Sequence, residues 1–430
     1  MGPGISDRWR VHLTPGFAIV LAALATASVH ASDTRPSFAL HDGDRVVFYG
    51  DSITQDGGYC RLVEEFVRCH YPRWNVRFYD AGVGGDKVSG GWAGNAEVRV
   101  QRDVIALKPT VVTIMLGMND GGYRKLEQPT LDAFTSGYRD IVRRVSDALP
   151  GARIYLIRTS PFDDITRPVG FDKGYDAVLG QLGDAVSAIA AEKHLQVVDF
   201  GKSLDFGLAE LWGQNPDLAK QLLPDRVHPG SGGQIAMGCR LLHAWNAPST
   251  VARVVIDGAA GTATASENAR VDGLTLANGV LAWKETDQSL PLPRNFEDSD
   301  VSLAQKVGAN LESLDSEPLV VTGLTHKWYV LHIDDQEVAT FSAGALDSGV
   351  NLARLNTPMR QQANQVHWSV DDGLHEQLMR RQMLAAQAKG LPGAGDAAQT
   401  LASYNEAEQA ACSAFAVPME HRFTLSPLAD

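Results

Sequence analysis

Positive charge is in short supply. Lys and Arg total 38 against 51 Asp and Glu among 430 residues, a net charge of −13. A surface that follows a phosphate backbone carries the opposite sign, so this balance argues against a nucleic-acid partner and against a polybasic membrane-surface protein. Long apolar runs are missing too. The one that raises the membrane question, Phe17–Ala27, covers 11 residues, about half of the roughly 20 that a spanning helix needs. It follows Arg8 and Arg10 and precedes Val29-His30-Ala31, the layout of a signal peptide cut after Ala31. The expectation is export to the periplasm or exterior of a bacterium, with no integral membrane segment left after cleavage of residues 1–31.

Cysteine is equally sparse. Four residues (Cys60, Cys69, Cys239 and Cys412) are too few for a disulfide scaffold and include no Cys-x-x-Cys pair for zinc. Cys60 and Cys69 stand nine apart on one predicted helix, hence on opposite faces, and cannot bridge each other. Pairing with a distant cysteine and burial as free thiols both stay open. A second histidine to complete a metalloprotease motif at His375-Glu376 is absent, as is a P-loop lysine. No metal or cofactor is called for. There is no internal repeat and no low-complexity tract.

What is present is a globular composition, 44% hydrophobic and 21% charged, in a chain of two or three domain lengths. From Phe38 to Pro248, short β-rich runs alternate with helical stretches. Strands are expected at Arg45–Tyr49, Val76–Tyr79, Thr110–Leu116, Arg153–Ile157 and Leu195–Val198. Helices are expected at Tyr59–Tyr71, Leu131–Leu149, Tyr175–Lys193 and Gly233–Trp245. Such alternation implies parallel strands with right-handed crossovers, a three-layer α/β/α sandwich over residues 38–248. Residues 250–345 read as a smaller β-rich segment, with a hairpin around Asp334-Asp335-Gln336. Residues 346–430 read as a helical tail, including Gln377–Ala388 and Asp396–Phe415.

In parallel sheets of this kind, ligands sit at the carboxyl ends of the strands, and there the loops hold an unusual set of residues. Gly50-Asp51-Ser52-Ile53-Thr54 puts Ser52 just past a buried strand and before a helix, where backbone N–H groups favour developing negative charge. Taken alone, Ser52 serves equally well as a helix cap. Ala81-Gly82-Val83-Gly84-Gly85-Asp86 lacks the glycine spacing of a dinucleotide loop; backbone approach to an oxyanion and a plain tight turn both fit it. In Gly117-Met118-Asn119-Asp120, the Asn119 amide suits donation to an oxyanion or an Asx-turn. In Asp225-Arg226-Val227-His228-Pro229, the spacing brings a carboxylate against an imidazole.

Together and in this order, the four blocks resemble the signature blocks of the SGNH hydrolases, the GDSL esterase/lipase family, across residues 45–245. Ile53-Thr54 stands where the family's name-giving form has Ser-Leu. The resemblance implies a flavodoxin-like sandwich and a serine esterase without cofactor. It implies Ser52 as nucleophile, His228 as general base and then acid, Asp225 as its orienting partner, and Gly85, Asn119 and the Ser52 N–H as oxyanion hole. The β-rich appendage, the expected export and the acidic surface resemble secreted bacterial carbohydrate acetylesterases. The expected substrate is therefore an O-acetyl ester on a small molecule or polysaccharide. A lysophospholipase or thioesterase on longer acyl chains, and a catalytically silent glycan-binding protein, are the alternatives. Asp51, Trp92, Tyr123 and Trp212 are candidate substrate contacts, the three aromatics being placed in loops near or between the blocks. Oligomeric state is not legible.

Overall fold

The computed structural model describes residues 37–428; the expected signal peptide, residues 1–31, lies outside them. Five strands, β1 (Arg45–Gly50), β2 (Arg77–Gly82), β3 (Val111–Met115), β4 (Arg153–Arg158) and β5 (Gln196–Asp199), form one parallel sheet in the order β2-β1-β3-β4-β5. This is the doubly wound order expected of a flavodoxin-like sandwich. Val46, Val47, Phe48, Val111, Val112 and Ile114 have no more than 1% of their surface exposed. Central strands covered on both faces read as continuous hydrophobic runs for that reason.

The crossovers carry α1 (Ser52–Gln55), α2 (Gly58–His70), α3 (Gln128–Ala148) and α4 (Asp176–Lys193), and α5 (Gly201–Gln214), α6 (Pro216–Leu222) and α7 (Ser231–Ala244) follow β5. Leu62, Val63, Phe66 and Val67 on α2 are buried, as the helical spacing predicts. Helices α5 and α6 are additions to the sequence reading, which left residues 201–222 unassigned. Among the described residues, no helix is long and apolar enough to cross a membrane.

Beyond Pro248 the chain builds two further sheets. Strands β6 (Arg253–Asp257), β7 (Thr262–Glu267), β10 (Pro318–Thr322) and β13 (Val350–Asn351) pair in the order β13-β10-β6-β7. Strands β8 (Ala269–Ala277), β9 (Val280–Asp287), β11 (Trp328–Ile333), β12 (Gln336–Ser342) and β14 (Glu420–Pro427) pair antiparallel in the order β8-β9-β14-β11-β12. The hairpin at Asp334 is present. A short helix, α8 (Ser299–Lys306), and two long ones, α9 (Pro358–Ala388) and α10 (Ala394–Phe415), complete the segment. The expected helical tail therefore ends in a strand, and β14 lies between β9 and β11 with Phe423 stacked on Trp283 at 5.1 Å.

The described residues, 37–428, form one compact unit, and the reason lies at β2. As an edge strand it would present unpaired backbone groups. Side chains of α9 and α10 take the place of a sixth strand. The Asp80 N–H donates to Gln377 Oε1 at 2.7 Å, and the Gln377 and Gln409 amides donate to Phe78 O at 3.4 and 3.3 Å. Arg381 donates to Asp80 O. Gln377→Leu would leave a buried N–H without an acceptor, which costs about 1–3 kcal/mol. Urea denaturation should show that loss; an unchanged midpoint would mean that β2 does not lean on these helices.

Candidate active site

The loop after β1 turns directly into α1 and places Ser52 at its first position. Asp51 caps this turn, Oδ1 accepting the Ile53 N–H at 3.0 Å. Two glycines make the turn possible. A Cβ on Gly50 would stand 2.1 Å from Thr54 Oγ1, and one on Gly82 would stand 2.2 Å from the Gln55 nitrogen. The end of β2 and the Ser52 turn thus touch backbone to backbone. Buried Gln234 on α7 fixes the turn from behind, accepting the Tyr59 N–H at 3.0 Å and donating to Ile53 O at 3.3 Å.

His228 arrives from the loop before α7. Asp225 Oδ1 accepts the N–H groups of Val227 and His228 at 3.0 and 2.8 Å, while Oδ2 lies 2.6 Å from His228 Nδ1. Between them Arg226 has φ of +81°. Loop 161–167 holds that left-handed residue: Arg226 O accepts the Asp163 N–H at 2.9 Å, and the guanidinium donates to Asp163 O and Arg167 O above the Phe162 ring. His228 Nε2 then lies 2.7 Å from Ser52 Oγ. With the carboxylate on Nδ1, that nitrogen carries the proton and Nε2 presents its lone pair to the hydroxyl. Burial raises the Asp225 pKa, but the His228 N–H and imidazole outweigh it and hold the carboxyl below the usual carboxylate range.

The glycine loop after β2 passes beside Ser52, where a Cβ on Gly84 would be 3.9 Å from that of Ser52. Gly84 N–H is bound by Gln55 Oε1 at 2.9 Å, and Asp86 N–H donates to Val83 O at 3.1 Å. The Gly85 N–H between them donates to none of the described residues. Gly85 has φ of +74° and open space where a side chain would be. The Asn119 amide is oriented by two bonds: Oδ1 accepts from Tyr123 Oη at 3.0 Å, and Nδ2 donates to Asp86 O at 3.0 Å. One amide hydrogen remains for a ligand. The structure therefore gathers Ser52, Gly85, Asn119, Asp225 and His228 in one site. A nucleophile, a base, its orienting acid and free N–H donors are the parts that acyl transfer requires.

The four candidate substrate contacts divide. Trp92 (48% exposed) and Tyr123 (43%) stand at the site. Trp92 Nε1 donates to Gly84 O at 3.0 Å, and Tyr123 reaches Asn119 as above. Asp51 is fully buried, so it is a turn cap with no surface for substrate. Trp212 is not in a loop. It lies in α5, packed against the core with Lys220 over its ring at 5.8 Å. All four cysteines are buried free thiols.

Sequence reasoning missed the groups beneath the site. Arg99 is completely buried, bonding Gly50 O, Ala81 O, Asp86 and Asp103 under the Tyr49 ring. Asp86 stands between this arginine and two further inward carboxyls, Asp51 and Asp120, each of which feels its charge. Burial pushes Asp51 up to about 7, the Ile53 N–H opposing and the Asp120 charge assisting. Burial likewise lifts Asp86 to about 6 against Arg99, and Asp120 to about 6 against the Val88 N–H. In the sequence the three aspartates are visible as members of the Ser52, glycine and Asn119 blocks, whereas nothing marks Arg99.

Comparison with known proteins bears on the fold and on the hydrolase half of the chain. Residues 48–235 match the family described as GDSL-like Lipase/Acylhydrolase. A protein of Geobacillus stearothermophilus named acetylxylan esterase is 26% identical over 220 residues, 45% of this chain and 90% of that one. A solved structure described as a gut microbial diltiazem-metabolizing enzyme superposes with a TM-score of 0.80 at 22% identity, covering 91% of this chain and 99% of that chain. That likeness is one of fold, and it extends through both appended sheets.

The buried carboxyls set a pH dependence. Their folded pKa values lie above the unfolded value of 3.8. Between about pH 4 and 7 the folded state therefore holds more protons than the unfolded one, and stability falls as pH rises through that window. Asp120→Asn removes one such charge while keeping an acceptor for the Val88 N–H. At pH 8 it should be more stable than the parent by roughly 1–2 kcal/mol, and at pH 4 about equal. Chemical denaturation at the two pH values checks this; a variant destabilised equally at both would contradict it.

Proposed function

From residues 48–235 as a GDSL-like hydrolase domain, a carboxylic ester hydrolase, we propose that this chain removes acetyl or other short acyl groups from the hydroxyls of a carbohydrate. The observation that carries the reading is the unbroken line from Asp225 Oδ2 through His228 to Ser52 Oγ, at 2.6 and 2.7 Å. In it, His228 takes the Ser52 proton as the hydroxyl oxygen attacks the ester carbonyl. Asp225 holds the imidazole in the working tautomer and stabilises the imidazolium. The tetrahedral oxyanion falls to the N–H groups of Gly85 and Ser52 and to the uncommitted Asn119 amide hydrogen. As the C–O bond breaks, His228 gives its proton to the departing sugar oxygen, and water, activated by the same base, releases the acid and regenerates Ser52.

Two features support a sugar on the leaving side. Trp92 and Tyr123 are half-exposed aromatics on the two loops that supply the oxyanion donors, placed where a pyranose face can stack. The acetylxylan esterase relative is matched over most of its length. Export through residues 1–31 belongs to the same reading, since a polymeric glycan does not enter the cytoplasm.

The test is hydrolysis of p-nitrophenyl esters from acetate to decanoate. Acetate should be preferred. Ser52→Ala should abolish turnover, and Asn119→Ala should lower kcat by about a hundred- to a thousandfold with little change in KM. A preference for long chains would replace the short-acyl assignment, and activity surviving in Ser52→Ala would end the serine mechanism.

A further inference from the structure

A cavity of about 230 Å³ lies where the hydrolase sheet meets the two long helices, walled by Arg45, Asp80, Asp103, Gln377, Arg380 and Arg381 among others. Three guanidinium groups face one small space in a protein whose net charge is −13. The carboxylates beside them are largely committed. Asp103 is bonded through both oxygens to Arg99 and Arg102. Asp80 Oδ1 accepts the Gly82 N–H at 2.7 Å and forms an ion pair with Arg381 Nη2 at 3.4 Å that is not aligned as a hydrogen bond. Glu406, at the rim, is exposed.

Arg381 is only 4% exposed, yet its Nε and Nη2 have no hydrogen-bond partner among the described residues, and the buried Nε of Arg380 has none there either. Arg45 is partly engaged, donating from Nε to Leu107 O with its guanidinium over the Tyr79 ring. Buried N–H donors on a cation are costly when unmet. A guanidinium fork is shaped to grip two oxygens of a carboxylate or phosphate at once. Gln377 and Asn405 spend their amides on backbone and on Gln409 rather than on these arginines.

We propose that this cavity is a binding site for a small oxyanion, a phosphate or carboxylate group held by the free N–H groups of Arg380 and Arg381 opposite Arg45. The bound anion would join α9 to the carboxyl end of β2, two residues before the glycine loop. One segment of α9 already reaches that loop, Ala385 packing with Val83 and Ala93 and Lys389 lying over Trp92 at 5.9 Å. The site is separate from Ser52, and its occupancy does not depend on what the hydrolase cleaves.

The experiment is calorimetric titration and thermal unfolding of the whole protein with inorganic phosphate and with galacturonate, against chloride at matched ionic strength. Binding at ten times Kd should raise Tm by about 2 °C. Arg380→Gln, a half-buried position where folding is not at stake, should weaken Kd at least tenfold while the unliganded Tm stays near that of the parent. Response to phosphate alone identifies a phosphoryl ligand, and response to galacturonate alone a carboxylate. If neither anion exceeds the chloride control, or if Arg380→Gln binds as tightly as the parent, the cavity holds water and the proposal fails.

Discussion

Arg99 has no exposed surface, and five groups converge on it. Its guanidinium bonds the last carbonyl of β1, a carbonyl near the end of β2, and the carboxylates of Asp86 and Asp103, with Tyr49 across its face. Both strand ends and the start of the glycine loop are thereby set relative to one another by a single cation. Asp86 O is in turn the acceptor for Asn119, so the amide facing the site takes its position from the same centre. A buried guanidinium of this kind is a poor source of net stability and a strong source of geometry, because removing it strands every partner it satisfies. Arg99 opposes the protonation of Asp86, yet burial still lifts that carboxyl, and it lifts Asp51 and Asp120 beyond it, so protons stay on them at pH values where free aspartates are ionised.

The site above this centre was legible in the sequence because each part is encoded locally. A hydrophobic strand followed by a glycine-containing polar loop and a helix puts the loop at the sheet's carboxyl edge, and Asp225 and His228 need only the turn between them to meet. What was not legible depended on distant pairing. Arg99 lies in Asn95-Ala-Glu-Val-Arg-Val-Gln-Arg-Asp103, where nothing separates a buried arginine from its exposed neighbours. Asp51 looked available because it borders the serine, yet the cap that it forms needs it inside. Trp212 was misplaced because its helix carries no apolar periodicity strong enough to call. The five strands of the sandwich are legible within a few residues, while β7 is exposed throughout and β8 is interrupted by a bulge; β14, though His421, Phe423 and Leu425 alternate inward, follows a long helical stretch that masks it.

The appended region is bound to the hydrolase by more than proximity. Edge strands are usually protected by charge, a bulge or a covering element. Here the covering element supplies hydrogen bonds as a strand would, from Gln377, Arg381 and Gln409. Glu65 of α2 extends the junction, bonding His367 on α9 and Arg294. The carboxyl end of β2, from which the glycine loop departs, is therefore held on one side by β1 and on the other by α9.

Strand β14 occupies the middle of its sheet although it is the last of the described elements in sequence. On the ribosome, β9 and β11 emerge with the space between them vacant, and 94 residues separate Ile333 from Pro427. At bacterial elongation rates of about 5–20 residues per second, the vacancy lasts roughly 5–20 s. During that interval two unpaired strand edges, one bearing Trp283 and the other Tyr329 and Leu331, are open to any extended segment nearby. Residues 420–427 satisfy both edges at once, so this sheet is complete only when they have paired.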